Sequence, residues 1–260
     1  MPPLGYFPFG GPVLRIEQQD RAPKAVFVLG VYASAVHARW VDANDNELVV
    51  ALAVASEPCI FWRGEDAQSI IAKIVVPQGA GRLKPPKSDL NGPSGRALDD
   101  RFLRPLGFAR SDAWLCDLVP HSCVNGTQQA AIERVYMQRI GTHGLPRPSV
   151  PRLPELLTTD ARRQEIAHEL MESQAQLLIL LGDQPVRWFL RSYDDRWSTL
   201  GDFQRNGGRY GERHSVVIEG RRLDVLPLVH PRQAARLGRC SPTWYGEHAR
   251  WMQKQERRRA

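Results

Sequence analysis

Cysteine is scarce in this sequence. Cys59, Cys116, Cys123 and Cys240 are the four in 260 residues, and no two of them form a CxxC pair. A reducing, cytoplasmic setting is therefore expected. Long hydrophobic runs are also lacking. No apolar stretch approaches the roughly 18 to 20 residues that span a bilayer, so no membrane role is expected. The start, MPPLGYFPFGGPVLR, lacks the charged-then-apolar order of a signal peptide. There is no internal repeat. The 21 glycines and 20 prolines are spread without a period, which excludes a collagen-like or low-complexity chain.

What is present is a globular composition with a basic excess. Hydrophobic residues make up 42% of the chain, enough to bury a sizeable core. A single domain over residues 1–260 is expected, with a core over about 25–252, an amino-terminal arm over 1–24 and a basic tail over 253–260. The formal net charge is +7, rich in arginine at RFLR, GRRL, HPRQAARLGR and the terminal KQERRRA. Nucleic acid is the partner this favours, against a plain solvated basic surface.

Short apolar runs ending in Gly, Pro or polar residues recur as strands: AVFVLG (25–30), LVVALAV (48–54), WLCDLVP (114–120), LLILLG (177–182) and DVLPLV (224–229). Near-continuous hydrophobicity marks strands buried on both faces. Helix signals lie between them at 94–106, at 159–176 with a Thr or Asp cap, and from Asp183. VDANDNELVV reads as a turn into a strand. The alternation predicts a three-layer α/β/α sandwich with a central, largely parallel four-stranded sheet plus an extra β-hairpin. Ligands in such folds bind beyond the carboxyl ends of the strands, which ranks GVYASAVH, DLVPHSCVN, GDQP and HPRQAARLG as site segments.

Taken singly these segments are weak. Their order carries the information: VFVLG with a small-residue loop, GPSGRALDDRFLRPLGFARSDAWLCDLVP, LLILLGDQPVRWFL, then LPLVHPRQAARLG. That order resembles the uracil-DNA glycosylase superfamily over about residues 25–252. The resemblance implies a monomeric enzyme that flips a nucleotide from DNA and cleaves its N-glycosidic bond with water, with neither cofactor nor metal. Cleavage places negative charge on the departing base, so the site needs a donor against the base and a positioned water. Flipping costs a few kcal/mol, offset by phosphate contacts and a stacking surface.

His230, at the His of the family's HPS-like motif, is the candidate donor, a neutral imidazole aimed at the leaving pyrimidine; it can also be a histidine capping the next turn. Arg232, Gln233, Arg236 and Leu237 occupy the loop that enters the minor groove in relatives. The usual apolar wedge position is Ala234 here, which leaves Leu237 or an arginine for that task. Ser94 and Arg96, with Gly92 and Gly95, match the helix start beside the site and suit a phosphate contact or a plain helix cap.

Asp117 falls where uracil-specific relatives carry the Asn that reads the base edge. A carboxylate accepts only, and suits a base presenting an amino donor such as N4 of cytosine; a second bond to N3 requires a proton on the acid or the base. Burial raises an Asp pKa and favours that proton. Asp117 as a water-activating base or a strand-end cap stays equally open.

The first loop departs most. In KAVFVLGVYASAVH, Gly30, Val31, Tyr32, Ala33 and Ser34 stand where relatives have GQDPY: the acid is gone and the wall against pyrimidine C5 is a serine. Val31 also stands where the iron–sulfur branch has its acid. Asp117 and Asp42 are the replacement acids taken forward, with Asp45, Asp89 and Asn91 as the other polar residues in matching or adjoining loops. Room at C5 beside Asp117 points to a 5-substituted cytosine, such as a hydroxymethylated or glucosylated one, in phage defence or repair. The base pocket is assigned to Val31, Tyr32, Ser34, Leu90 and Asp117, with Leu90 where relatives have the stacking aromatic and Tyr32, Phe61 or Trp62 as substitutes. Uracil excision, an inactive glycosylase fold that binds DNA, and another α/β enzyme with a basic face are the competing readings.

Overall fold

The computed structural model describes residues 2–87, 89–205, 208–238 and 240–259. Ten strands follow in chain order among them: β1 (Gly5–Tyr6), β2 (Pro12–Val13), β3 (Val26–Tyr32), β4 (Ala35–Val41), β5 (Glu47–Ser56), β6 (Arg82–Lys84), β7 (Ala113–Val119), β8 (Leu177–Leu181), β9 (His214–Ile218) and β10 (Arg221–Leu228). The fold is α/β with mixed sheets. The chain divides into two units, one of Met1–Ile16, Tyr32–Pro93 and Pro120–Pro154, the other of Glu17–Val31, Ser94–Val119 and Glu155–Ala260.

The second unit holds a five-stranded sheet in the order β7-β3-β8-β10-β9. Leu180 of β8 pairs in parallel with Leu29 of β3 on one side and Pro227 of β10 on the other. Every residue of LLILL is buried, as a strand covered on both faces requires. β9 is the fifth strand, antiparallel to β10 across a tight turn at Glu219 and Gly220, both with positive φ. The run LVVALAV forms β5, a hairpin partner of β4 in a separate antiparallel sheet.

Two helices of this unit show how polar groups are used under the sheet. Helix Asp160–Glu172 starts at Thr159, whose hydroxyl accepts from Arg162 N at 3.2 Å. Arg162 itself is buried. Its guanidinium donates to the main-chain carbonyls of Asp117 (2.7 Å) and Leu118 (3.2 Å) and pairs with Glu165 and Glu169. Removing it leaves buried acceptors unsatisfied, so Arg162→Ala should lower stability by about 3 kcal/mol. The check is a urea titration, in which the midpoint falls while the slope stays constant.

Residues 93–106 run helical throughout, with a π segment at Asp99–Leu103 just before Pro105. Pro105 has no N–H for the carbonyl of Arg101 four residues back. His248 of helix Pro242–Arg259 supplies the missing donor, its Nε2 lying 3.0 Å from that carbonyl. The other ring nitrogen, Nδ1, accepts from the Tyr210 hydroxyl at 2.7 Å, and the Tyr210 oxygen accepts from Val229 N at 3.0 Å. This chain of bonds anchors the end of β10 at Val229.

The first unit is built on the antiparallel sheet β5-β4-β6. In AVHARWV the buried Val36, Ala38 and Trp40 alternate with the partly exposed His37 and Arg39, the period of a half-buried strand. Much of what reads as a long loop is therefore β4, and only Ala33 and Ser34 separate it from β3. Phe9 meets Trp40 and Tyr136 edge-on, with centroids at 5.3 and 5.2 Å, so the amino-terminal arm belongs to this core. Two side-chain amides act as extra strand segments. Asn91 accepts from His37 N (2.8 Å) and donates to His37 O (2.9 Å); Gln128 does the same with Ala53 N and Ala51 O.

Candidate functional site

Extending the register of the parallel strands by two residues brings Val31, Gly182 and Val229 into one row at their carboxyl ends. These three line a cavity of about 260 Å³, with Asp183, Gln184, His230, Gln233 and Trp244 on its walls. At ~30 Å³ per water, that is room for about nine waters, the scale of a single flat ring with some solvent.

His230 follows β10 in extended conformation and caps the short helix Pro231–Ala234. Its Nδ1 accepts from Arg232 N at 3.1 Å. Desolvation, and then the charge of Arg232, push its pKa down to about 4, so the ring is neutral at physiological pH. With Nδ1 accepting, the proton sits on Nε2, and the ring is a neutral N–H donor. Capping and donation are thus two ends of one ring, and the two readings of His230 coexist.

Gly182 sets the backbone beside it. Its φ of 94° and ψ of −178° lie in a region open essentially to glycine alone, and a Cβ there would stand 3.3 Å from the His230 Cβ. Gly182→Ala should cost about 1–3 kcal/mol, read as a lower thermal midpoint. An unchanged midpoint would show that this conformation is dispensable.

Asp183 and Trp244 were not singled out by sequence reasoning. Asp183 opens helix Asp183–Trp188, and its Oδ1 accepts from Leu200 N at 2.8 Å. Among the described residues it is the only carboxylate lining the cavity. The signal was its place in GDQP, directly after a buried strand. Trp244 lies in the first turn of helix Pro242–Arg259, with Tyr210 at 6.0 Å between ring centroids.

Asp117 sits on β7 and is 3% exposed. Desolvation, opposed by the charge of Arg162, pushes its pKa up to about 7. Among the described residues the hydrogen bonds at Asp117 go to its main-chain carbonyl, and none to its carboxylate. β3 and β8 stand between β7 and β10, so three strand spacings of ~4.8 Å separate the strands of Asp117 and His230 by about 14 Å. Asp117 is not on the wall of the His230 cavity.

In the loop after His230, Ala234 is 1% exposed and packed inward, so it is no wedge. Leu237 is half-buried and Arg236 exposed, with its guanidinium 3.9 Å above the Tyr245 ring centroid. Arg232 Nε donates to Leu237 O at 2.7 Å and staples the loop, while Gln233 accepts from Ser241 N at 2.7 Å. Ser94 and Arg96 lie partly buried in the first turn of helix Pro93–Leu98.

The remaining predicted residues belong to the first unit. Asp42 caps the β4–β5 turn, accepting from Asn44 N and Asn46 N at 2.8 Å each and from Asn46 Nδ2 at 3.0 Å. Its neighbour Asp45 pairs with Arg82 and Lys84. Asp42 thus closes the hairpin turn, and Asp45 ties that turn to β6. Ser34 is exposed; its N–H donates to the buried Glu57 at 3.0 Å and its carbonyl accepts from Ser122. Tyr32 is 37% exposed and Leu90 half-buried, whereas Phe61 and Trp62 are core residues. Gly92, with φ of 75°, lies so close to the Arg63 backbone that a Cβ would overlap it.

Among the described residues no group of three or more His, Cys, Asp or Glu is placed to hold a metal ion, and no helix is long and apolar enough to cross a membrane. No protein-family model and no curated protein matches the chain.

Proposed function

We propose that the protein is a DNA glycosylase of the uracil-DNA glycosylase type, a three-layer sandwich that releases a modified pyrimidine as the free base and leaves an abasic site. One observation carries the reading: a neutral histidine, held as the Nε2–H tautomer by its own helix cap, on the wall of a ring-sized cavity at the ends of parallel strands. The chemistry follows from that donor. As the bond from C1′ to the base nitrogen breaks, its electron pair stays with the base, and a hydrogen bond from His230 Nε2 stabilises the anion. Water attacks C1′ from the other side and loses a proton to Asp183, the acid on the cavity wall. Asp42, committed to its turn, takes no part.

The substrate class rests on two residues. Asp117 lies off the wall of the His230 cavity, about 14 Å across the sheet; a base bonded to His230 at one edge reaches it with the other, and a carboxyl that holds its proton up to about pH 7 accepts there from N4 of cytosine and donates to N3. Ser34 stands where relatives wall off C5 with tyrosine. By their positions in the sequence both suit a 5-hydroxymethyl or glucosylated cytosine, whose removal serves defence against phage with modified DNA, or repair. The basic surface and the Arg232–Leu237 loop hold the DNA.

The test is a panel of single- and double-stranded oligonucleotides carrying uracil, 5-hydroxymethylcytosine, its glucosylated form or hypoxanthine, followed by cleavage at abasic sites. Excision of a modified cytosine above uracil is the expected result. Salt-dependent binding with no product from any substrate would favour a binding module, the reading that the acid-free loop GVYAS supports.

A further inference from the structure

A second cavity of the same unit, about 750 Å³, is lined by the cations Arg209, Arg213, Arg250, Lys254 and Arg258. Two carboxylates share its wall with these five cations, so positive charge is in excess. Glu247 pairs with Arg250, and Glu212 accepts from the main-chain N–H of Arg209. Arg213 reaches Asp224 at 3.5 Å. Arg209, Lys254 and Arg258 have no acid partner among the described residues, and all three are exposed.

The cations are ordered. Arg250, Lys254 and Arg258 fall four residues apart on helix Pro242–Arg259, so they form a row on one face with steps of about 6 Å over about 12 Å. Those steps match the scale of successive phosphates along a nucleic-acid strand rather than one isolated anion. The opposite wall is fixed by Gly211, whose φ of 71° and close approach to the Trp251 indole leave no space for a side chain. Trp251, on the helix, is buried against Gly211, and its Nε1–H has no acceptor among the described residues.

The same helix ties this cavity to the one at His230. Trp244 lines the His230 cavity, and Arg258, 14 residues on, lies about 21 Å further along the axis. Tyr210 lines the basic cavity and bonds to Val229 beside His230.

We propose that the cavity between the Arg209–Arg213 loop and helix Pro242–Arg259 is a track for the phosphate backbone of a single nucleic-acid strand, leading along the helix from the His230 cavity. This deepens the glycosylase reading and rests on it for the identity of the strand as DNA. Arg250, Lys254 and Arg258 each face one phosphate, with Arg209 and Arg213 across from them.

The experiment measures binding of a short fluorescein-labelled single DNA strand to the full chain at a series of salt concentrations. Each phosphate neutralised contributes about −0.7 to the slope of log K against log salt. The combined variant Arg209→Gln, Lys254→Gln, Arg258→Gln should therefore flatten the slope by about 2, while Lys254→Arg leaves it unchanged. A control triple at exposed cations elsewhere, Lys73→Gln, Arg134→Gln, Arg191→Gln, should leave the slope near wild type. An unchanged slope in the first triple, or an equal loss in the control, overturns the track. So does a thermal shift by inorganic pyrophosphate that the first triple abolishes while the DNA slope persists, because the cavity then serves a small phosphate compound. Excision with an unaffected slope removes the track and keeps the glycosylase; a flattened slope with no excision does the reverse.

Discussion

His230→Asn should slow base release by about 10²–10³-fold, the effect of removing one donor to a developing anion, while the thermal midpoint stays near wild type. The choice of Asn separates the two ends of the ring. An Asn side-chain oxygen accepts from Arg232 N as Nδ1 does at 3.1 Å, so the helix cap survives and only the Nε2 donor is lost. His230→Ala loses both, and should add about 1 kcal/mol of destabilisation to the same loss of rate. Equal rates for wild type and His230→Asn would confine this histidine to capping. The pH dependence follows from a pKa of about 4, below the ~6.5 of an unfolded histidine. The unfolded chain takes up the proton first, so the stability this site contributes is present above pH ~6.5 and is lost as pH falls towards 4. The helix cap should hold until the same low pH and then be lost as Nδ1 gains a second proton, while Nε2–H remains a donor.

Asp117→Asn should keep activity on modified cytosine, abolish its loss at alkaline pH, and raise activity on uracil by about 100-fold. A protonated carboxyl and an amide each present one donor and one acceptor, so both can pair with N3 and N4 of cytosine. The amide can also turn over to read N3–H and O4 of uracil. In the wild type, the pKa of about 7 makes activity fall as pH rises through 7. Were Asp117 the water-activating base, the opposite would hold: activity would rise through pH 7 and Asp117→Asn would extinguish it. Stability gives an independent reading. The folded pKa lies above the ~3.9 of an unfolded Asp, so the contribution is full below ~3.9 and lost as pH rises through 7. Asp117→Asn should therefore raise the thermal midpoint more at pH 8 than at pH 5.

The strands that make the cavity were legible because burial on both faces leaves unbroken apolar runs: AVFVLG, WLCDLVP, LLILLG and DVLPLV all fall on strands of one sheet. Thr159 announced its helix through the cap it makes. β4 was hidden for a different reason. AVHARWV alternates as a half-buried strand should, yet its first residues abut a strand end and read as loop. The turn was visible in NDN at 44–46, since Asn and Asp close such turns with their own side chains, but the part Asp42 plays in it was not, and Asp42 reads in sequence as a candidate acid. Other features depend on tertiary partners that no local pattern carries. That Arg162 would be buried under β7, or that His248 would answer the carbonyl Pro105 leaves open, requires the packed elements themselves. Asp183 is intermediate, because the segment was ranked and the residue was not.

Mass analysis of the small molecules released from a duplex bearing one 5-hydroxymethylcytosine, with wild type and His230→Asn side by side in ¹⁸O-labelled water, tests the central claim most directly. The account predicts unlabelled free 5-hydroxymethylcytosine and one ¹⁸O on the abasic sugar with the wild type, and slow release of the same products with the variant. DNA recovered intact in both reactions, or equal release from both proteins, would contradict it.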